Sequence, residues 1–385
     1  MKIVHVTEAL GGGVLSMLTE LCNRAVSTGA EVTVLYSIRT ETPKNFAELF
    51  HPKVDLVYVH MCREVHVRND CLSVWGLVRQ LRRCGPDVIH LHSSKAGVLG
   101  RAAAKIATPN AKVFYSPHGL SFLRRDVSRK KQLAYLTFER MAHLMGGTVV
   151  ACSPSELHEI ETQLRVKDAK LIENGVDINS IPLRVVRDDE NVVIGMNGRA
   201  SFQKHQELFF ALAIELHDVT AKFLWIGGNT DELSLLEQSS AITCSGWLTR
   251  SRALELMSGL DIYVQTSRWE GMPVALIEAQ VAGIPAVVTD VVGNRDVVVH
   301  GVTGFIASTK EEMASYLKQL RDDRQLRERV GHAARELALT KFSMDTIFRR
   351  WLNTYESAVE KDTKEAFENR VIDPCDVQPN ADEPA

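Results

Sequence analysis

Across 385 residues there is no run of about 18 uncharged apolar side chains, so the sequence offers no membrane-spanning helix. The first residues, Met1-Lys2-Ile3-Val4-His5-Val6, pass straight into a strand pattern without the apolar core of a signal peptide. Cysteines are few: Cys22, Cys62, Cys71, Cys84, Cys152, Cys244 and Cys375, none in a Cys-x-x-Cys pair. That spacing disfavours structural zinc and points to reduced thiols in a cytoplasm. Aromatics make up only 6%, and the most basic segment, Arg124–Lys131, contains none, so nucleic acid is not an expected partner. The glycines after the first strand do not make the Gly-x-Gly-x-x-Gly spacing, which counts against a dinucleotide-dependent oxidoreductase.

What is present is a chain 45% hydrophobic and 24% charged, long enough for two domains of about 150–200 residues. The net charge of −3 hides an asymmetry. Residues 1–180 carry 23 Lys and Arg against 17 Asp and Glu, whereas the remainder carries 22 against 31. A basic first half suits an anionic partner.

Lys2 to Thr7 reads as a strand, followed by Glu8-Ala9-Leu10-Gly11-Gly12-Gly13 and a helix from Val14 to Ser27. Strand, glycine-rich loop and helix open a doubly wound α/β domain, and the glycines let backbone approach a phosphate or sugar. Apolar strands recur at Glu31–Tyr36, Val54–Val59, Asp87–Leu91, Lys112–Tyr115 and Thr148–Ala151. A second series begins at Asn191–Gly195 and continues at Ala221–Ile226, Asp261–Val264 and Pro285–Thr289. Such βα repetition predicts two mainly parallel sheets covered on both faces, with Arg184–Glu190 connecting them. His90 and His92 share a strand face; a metal pair is one reading, but without a third ligand in view they fit better as the lining of a cleft. His118, in Ser116-Pro117-His118-Gly119, ends a strand where α/β active sites form. The basic segment 124–131 leads into Leu133, Leu136, Phe138, Met141, Leu144 and Met145. This fits either a solvated helix over a packed face or contact of residues 122–145 with anionic lipid.

The most informative stretch is Thr266-Ser-Arg-Trp-Glu-Gly-Met-Pro-Val-Ala-Leu-Ile-Glu-Ala279. An apolar strand precedes it, Gly271 and Pro273 mark a turn, and a helix follows with Pro273 at its first position. Glu270 then sits in the loop and Glu278 about a turn and a half into the helix. Free amides at a helix start hold anions, and two nearby carboxylates accept from hydroxyls, which together suit a nucleotide sugar.

This segment resembles the Glu-x7-Glu signature of the retaining GT-B glycosyltransferases of family 4 (glycosyl transferases group 1), including O-antigen and polysaccharide sugar transferases. The resemblance continues through Pro285–Asp290, Gly293 and Gly301–Phe305. It implies two Rossmann-like doubly wound domains facing a central cleft. Residues 1–183 would form the acceptor side, joined by a returning helix at 342–360, and 184–341 the nucleotide-sugar side; 361–385 is expected to be a disordered acidic tail.

The implied catalytic residues are His118, reaching the transferred sugar, Arg199 and Lys204, gripping the diphosphate, and Glu270, holding sugar hydroxyls. His205 departs from the glycine that many relatives carry after the lysine. Glu278 would hold the ribose, Gly271 and Met272 would offer amides, and Gly12 and Gly13 would line the cleft. Gly246-Trp247-Leu248 would lie against the base, with Leu248 in contact and Trp247 a packing residue, and Leu276 joins the donor set. The implied reaction moves a hexose or N-acetylhexosamine from a UDP- or GDP-sugar to a saccharide acceptor. That acceptor is expected to be a polyprenyl-diphosphate-linked precursor of lipopolysaccharide or another surface polysaccharide, met on the inner face of the membrane. No Asp-x-Asp motif stands in these segments, so no metal and no cofactor beyond the donor is expected. A sugar-nucleotide epimerase lacks this Glu spacing, a phosphorylase would need a pyridoxal lysine, and the intact set Arg199, Lys204, Glu270 and Glu278 speaks against a non-catalytic partner subunit.

Overall fold

The computed structural model describes residues 1–371 apart from 63, 187–190, 218–220 and 229–239, with side chains followed to residue 360. Its first sheet contains β1 (Lys2–Thr7), β2 (Glu31–Tyr36), β3 (Asp55–Tyr58), β4 (Val88–His92), β5 (Lys112–Ser116), β6 (Thr148–Ala151) and β7 (Lys170–Leu171). The second contains β8 (Val192–Asn197), β9 (Ala221–Ile226), β10 (Ile242–Cys244), β11 (Ile262–Gln265), β12 (Ala286–Thr289) and β13 (Gly304–Ala307). Their orders are 3-2-1-4-5-6-7 and 10-9-8-11-12-13, and the paired strands are parallel. Both are doubly wound sheets, so each has one point where the winding reverses: between β1 and β4, and between β8 and β11.

Burial follows from that topology. All five residues of β4 and all four of β11 are buried, as expected for parallel strands covered on both faces. The helix after β1 spans Gly12–Ser27, two residues earlier than the sequence pattern indicates, so Gly12 and Gly13 form its first turn. Arg184 and Val185, expected in the connection, already donate backbone hydrogen bonds to Ala282 and Ser258 of the second domain, at 2.8 Å each. Residues 187–190 of that connection lie outside the described residues.

The chain crosses between domains twice, and the crossings are bonded to each other. Val176 N donates to Phe342 O and Met344 N to Val176 O, both at 2.9 Å. The final helix, Met344–Val371, then packs on the first domain. Trp351 and Tyr355 are each 3% exposed, Tyr355 lies against Phe114 of β5, and Arg350 pairs with Glu173. One apolar core includes Leu18, Val176, Met272, Leu276, Ile347 and Trp351, and so is continuous across both domains. The helix also corrects the expected tail: it continues through residues 361–371, which contain neither Pro nor Gly to stop it. Residues 372–385 of that tail lie outside the described residues. Among the described residues, no helix is long and apolar enough to cross a membrane.

Replacing Trp351 with Ala should therefore lower unfolding stability by about 3–5 kcal/mol, the usual cost of emptying a buried Trp site. Urea unfolding measures this, and a loss below about 1 kcal/mol would mean that the helix is not part of the core.

Candidate active site

Ligands of doubly wound sheets bind beyond the carboxyl ends of the strands, where the winding reverses. In the first domain that point gathers the Glu8–Gly13 loop after β1 and His92-Ser93 at the end of β4. In the second it gathers Gly198–Lys204 after β8 and Thr266–Pro273 after β11. The sequence-predicted residues thus come from the two switch points and from the strands beside them.

Glu270 is 8% exposed, and three donors converge on its Oε1: Lys204 Nζ at 2.7 Å, Ser267 Oγ at 2.7 Å and Gln265 Nε2 at 3.0 Å. Its Oε2 has no protein partner among the described residues. Lys204 reaches Glu270 by passing over Gly198, where a Cβ would lie 3.2 Å from its Cε. His205 adopts φ +55°, the left-handed conformation. That explains why glycine serves well at this position, and the histidine holds it against a strain of about 1 kcal/mol.

Arg199 is directed across the cleft, its guanidinium 3.3 Å from Glu41 of the first domain. Glu41 also meets Arg39 at 3.6 Å, and Arg39 pairs with buried Glu8 at 2.5 Å. Burial works against charge on Glu41, but its own backbone amide, Arg199, Thr40 and Arg39 together hold its carboxyl below the usual range. Glu278, 5% exposed, accepts from Arg250 at 2.6 Å. Burial raises its carboxyl above the usual range, and Arg250 opposes that rise.

The two domains touch backbone to backbone at His118-Gly119 and Gly271. A Cβ on Gly271 would lie 2.6 Å from Gly119 N and 2.8 Å from the His118 carbonyl carbon. Gly293 is as close on the other side, where a Cβ would fall 2.3 Å from Gly271 O. His118 itself has φ +53°, and its Nε2 lies 2.9 Å from His92 Nδ1. Asn174 Nδ2 donates to Met272 O at 2.9 Å, while no protein acceptor among the described residues meets the amides of Gly271 and Met272. Gly13 also faces this surface, a Cβ there lying 3.2 Å from Val274 Cγ2, and Gly12 has φ +52° with open space around it. His90 and His92 share a face, and His5 on β1 supplies the third imidazole missing from the sequence reading; the three side chains are buried with ring nitrogens within 4.8 Å of one another.

Three expectations need correction. Leu276, 0% exposed in a helix (Val274–Val281) with seven of its eight residues buried, packs in the apolar core shared by the two domains, so its side chain serves the core rather than the cleft surface. Trp247, expected to pack, is 51% exposed, while Leu248 is partly buried against the core. Pro273 precedes the helix rather than opening it, since its ψ of 110° is extended. Sequence reasoning also missed Arg250, Glu41 and Asn174. Their partners lie 28, 158 and 98 residues away, and none belongs to a local motif.

Comparison with known proteins gives the family and the fold. The description "Glycosyltransferase Family 4" matches residues 11–180, and "Glycosyl transferases group 1" matches 178–337. The chain is a GT-B glycosyltransferase. It is 28% identical to the UDP-Gal:alpha-D-GlcNAc-diphosphoundecaprenol alpha-1,3-galactosyltransferase of Escherichia coli, over 69% of this chain and 74% of that one. It is 25% identical to the capsular polysaccharide biosynthesis glycosyltransferase CapM of Staphylococcus aureus, over 79% and 85%. Among solved structures, Anabaena Alr3699/HepE in complex with UDP-glucose superposes with a TM-score of 0.75 at 20% identity, covering 93% of this chain and all of that one. Sucrose-phosphate synthase from Thermosynechococcus elongatus reaches 0.80 at 16% identity, covering 93% and 98%.

The Arg250–Glu278 pair yields a pH-dependent prediction. A carboxyl raised in the fold contributes stability below its unfolded pKa and loses it as pH climbs through its folded value. Arg250→Ala removes the group opposing that rise, so its stability deficit should grow between about pH 5 and about pH 8. At the upper end it should reach roughly 1–2 kcal/mol, a modest figure because Arg250 is itself about a third exposed. Thermal melts at both pH values, with Arg250→Ala/Glu278→Gln as the control that flattens the slope, measure it. Equal deficits at both would assign the loss to something other than this ion pair.

Proposed function

We propose that this glycosyltransferase is retaining and metal-independent, moving a hexose or N-acetylhexosamine from a UDP- or GDP-sugar to a lipid-linked saccharide of a surface polysaccharide. The observation that carries this reading is that Lys204, Glu270 and the amides of Gly271 and Met272, which meet no protein acceptor among the described residues, come together at one switch point, with Arg199 on the same loop after β8 and directed across the cleft. A donor diphosphate would take Lys204 and Arg199 as its cations, competing with Glu270 and Glu41 for them. As the bond from the sugar's anomeric carbon to the diphosphate breaks, negative charge grows on the leaving oxygen, and these fixed cations favour that transition state. The acceptor hydroxyl attacks on the same face and passes its proton to the departing diphosphate. Glu270 Oε2 would then take sugar hydroxyls, His118 would face the sugar from the other domain, and Glu278 would hold the ribose. The relatives named for undecaprenyl-linked and capsular substrates favour a lipid-linked acceptor.

Thermal melts with a panel of UDP- and GDP-sugars test the donor. The correct one, at about 100 times its Kd, should stabilise the protein by about 2.7 kcal/mol. Glu278→Ala should lose most of that shift, and turnover should survive a chelator. No shift with any nucleotide sugar, or full inhibition by chelator, would refute the reading.

The helix Arg129–His143 supports a membrane-held acceptor. Leu133, Phe138, Met141 and Leu144 are 62%, 48%, 58% and 82% exposed, beside exposed Arg125, Arg129, Lys130 and Lys131. An apolar face rimmed by cations binds anionic lipid surfaces. Sedimentation with phosphatidylglycerol vesicles should capture the protein, and Met141→Ser/Leu144→Ser should reduce capture several-fold. Equal capture of both proteins, or of neutral and anionic vesicles, would exclude this surface.

A further inference from the structure

His118 is the end of a line of histidines that runs from the cleft into the first domain. His5 on β1, His90 and His92 on β4, and His118 after β5 stand on neighbouring strands, with His5 paired to His90 and His92 to Ser116 in register. His118 Nε2 lies 2.9 Å from His92 Nδ1, and His92 Nε2 lies 2.9 Å from His5 Nδ1. The rings are stacked, with centroids 5.2 Å apart and interplanar angles of 10° and 25°. His90 lies alongside but is closed off, its nitrogens meeting Tyr355 Oη at 2.7 Å and Ser116 Oγ at 2.9 Å while its ring packs on Trp351.

Burial keeps these rings neutral. It pushes His5 down to about 3 and His118 down to about 4, and it lowers His90 and His92 with help from their neighbours. A neutral imidazole has one donor and one acceptor nitrogen. In a line of such rings each contact consumes one N–H, so the three tautomers are linked and all point the same way along the line. His118 Nδ1, which has no protein partner among the described residues, is left at the cleft end.

We propose that His92 and His5 are positioning residues for His118, holding its ring in one orientation and one tautomer so that Nδ1 meets the transferred sugar with a fixed hydrogen-bonding character. The proposal rests on the reading that His118 faces that sugar. Its logic is that of a buried carboxylate orienting a catalytic imidazole, with two imidazoles in the carboxylate's place. Three clustered imidazoles are also a possible transition-metal site. Both ring nitrogens of His92 and both of His90 are already engaged, so a metal would have to break one contact of the line and one of the two hydroxyl contacts of His90, which favours the hydrogen-bonded line.

The test uses the full chain labelled with ¹⁵N-histidine. His118 should show one protonated and one bare ring nitrogen in the wild type, and averaged signals in His92→Phe. In turnover, His92→Phe should lower kcat roughly tenfold or more with donor KM within about twofold. His92→Asn, which keeps a polar group at the Nδ1 position, should recover part of that loss. Averaged His118 signals in the wild type would overturn the proposal, as would unchanged His118 signals in His92→Phe. About one equivalent of transition metal bound by the wild type and lost in His5→Asn would overturn it in favour of a metal site. If His92→Phe does not fold, the wild-type spectrum and His5→Asn still decide. If no donor is turned over, the proposed function fails while the spectra judge the histidine line on their own.

Discussion

Gly119 and Gly271 lie backbone against backbone across the cleft, with Gly293 pressed onto the far side of Gly271. His118 and Glu270 are the residues immediately before the first two glycines, so this contact sets the spacing between them. A methyl group at Gly271 would overlap two backbone atoms of the opposite domain, and backbone cannot rotate aside as a side chain can. Asn174 bonding to Met272, and Ser155 bonding to Asp296, hold the same two surfaces together around the glycines. Catalytic geometry tolerates displacements of only about 1 Å, and here the tolerance is built from residues without side chains.

Charge is arranged on the same principle of mutual constraint. Lys204 is held by Glu270, Arg199 by Glu41 and Arg250 by Glu278, and the carboxylates are the more buried member of each pair. A buried carboxylate without a cation would be costly, so each cation stabilises the fold as well as facing the cleft. The cleft is therefore lined by existing ion pairs rather than by a field of free positive charge.

Much of this was legible in the sequence. Alternating apolar strands and helical segments revealed ten of the strands to within a residue or two, because parallel strands buried on both faces leave long apolar runs. β10, of three residues, carries too little pattern to stand out, and β13 opens on Gly304, which shortens its apolar run to three residues. Glu270, Glu278, Arg199 and Lys204 could be singled out because their spacing is local, within a loop and a helix turn. Their partners could not, since Glu41 and Arg199 are brought together only by the docking of two domains. Leu276 misled for a related reason: its helix is buried nearly all round, so adjacency in sequence to Glu278 does not place it in the same environment. His5 was passed over as part of an ordinary first strand, and only the pairing of β1 with β4 sets it beside His90 and His92.

The two chain crossings near Val176 and Ser343 have a mechanical consequence. Two connections placed far apart would clamp the domains like a bolted plate, and a single one would leave a swivel. Here they are adjacent and share backbone hydrogen bonds, so they act as one knuckle. Rotation about that knuckle would part the glycine surfaces without breaking either bond, whereas sliding or twisting would shear both. A hinge-like rotation about these bonds is therefore the interdomain displacement that would leave them whole.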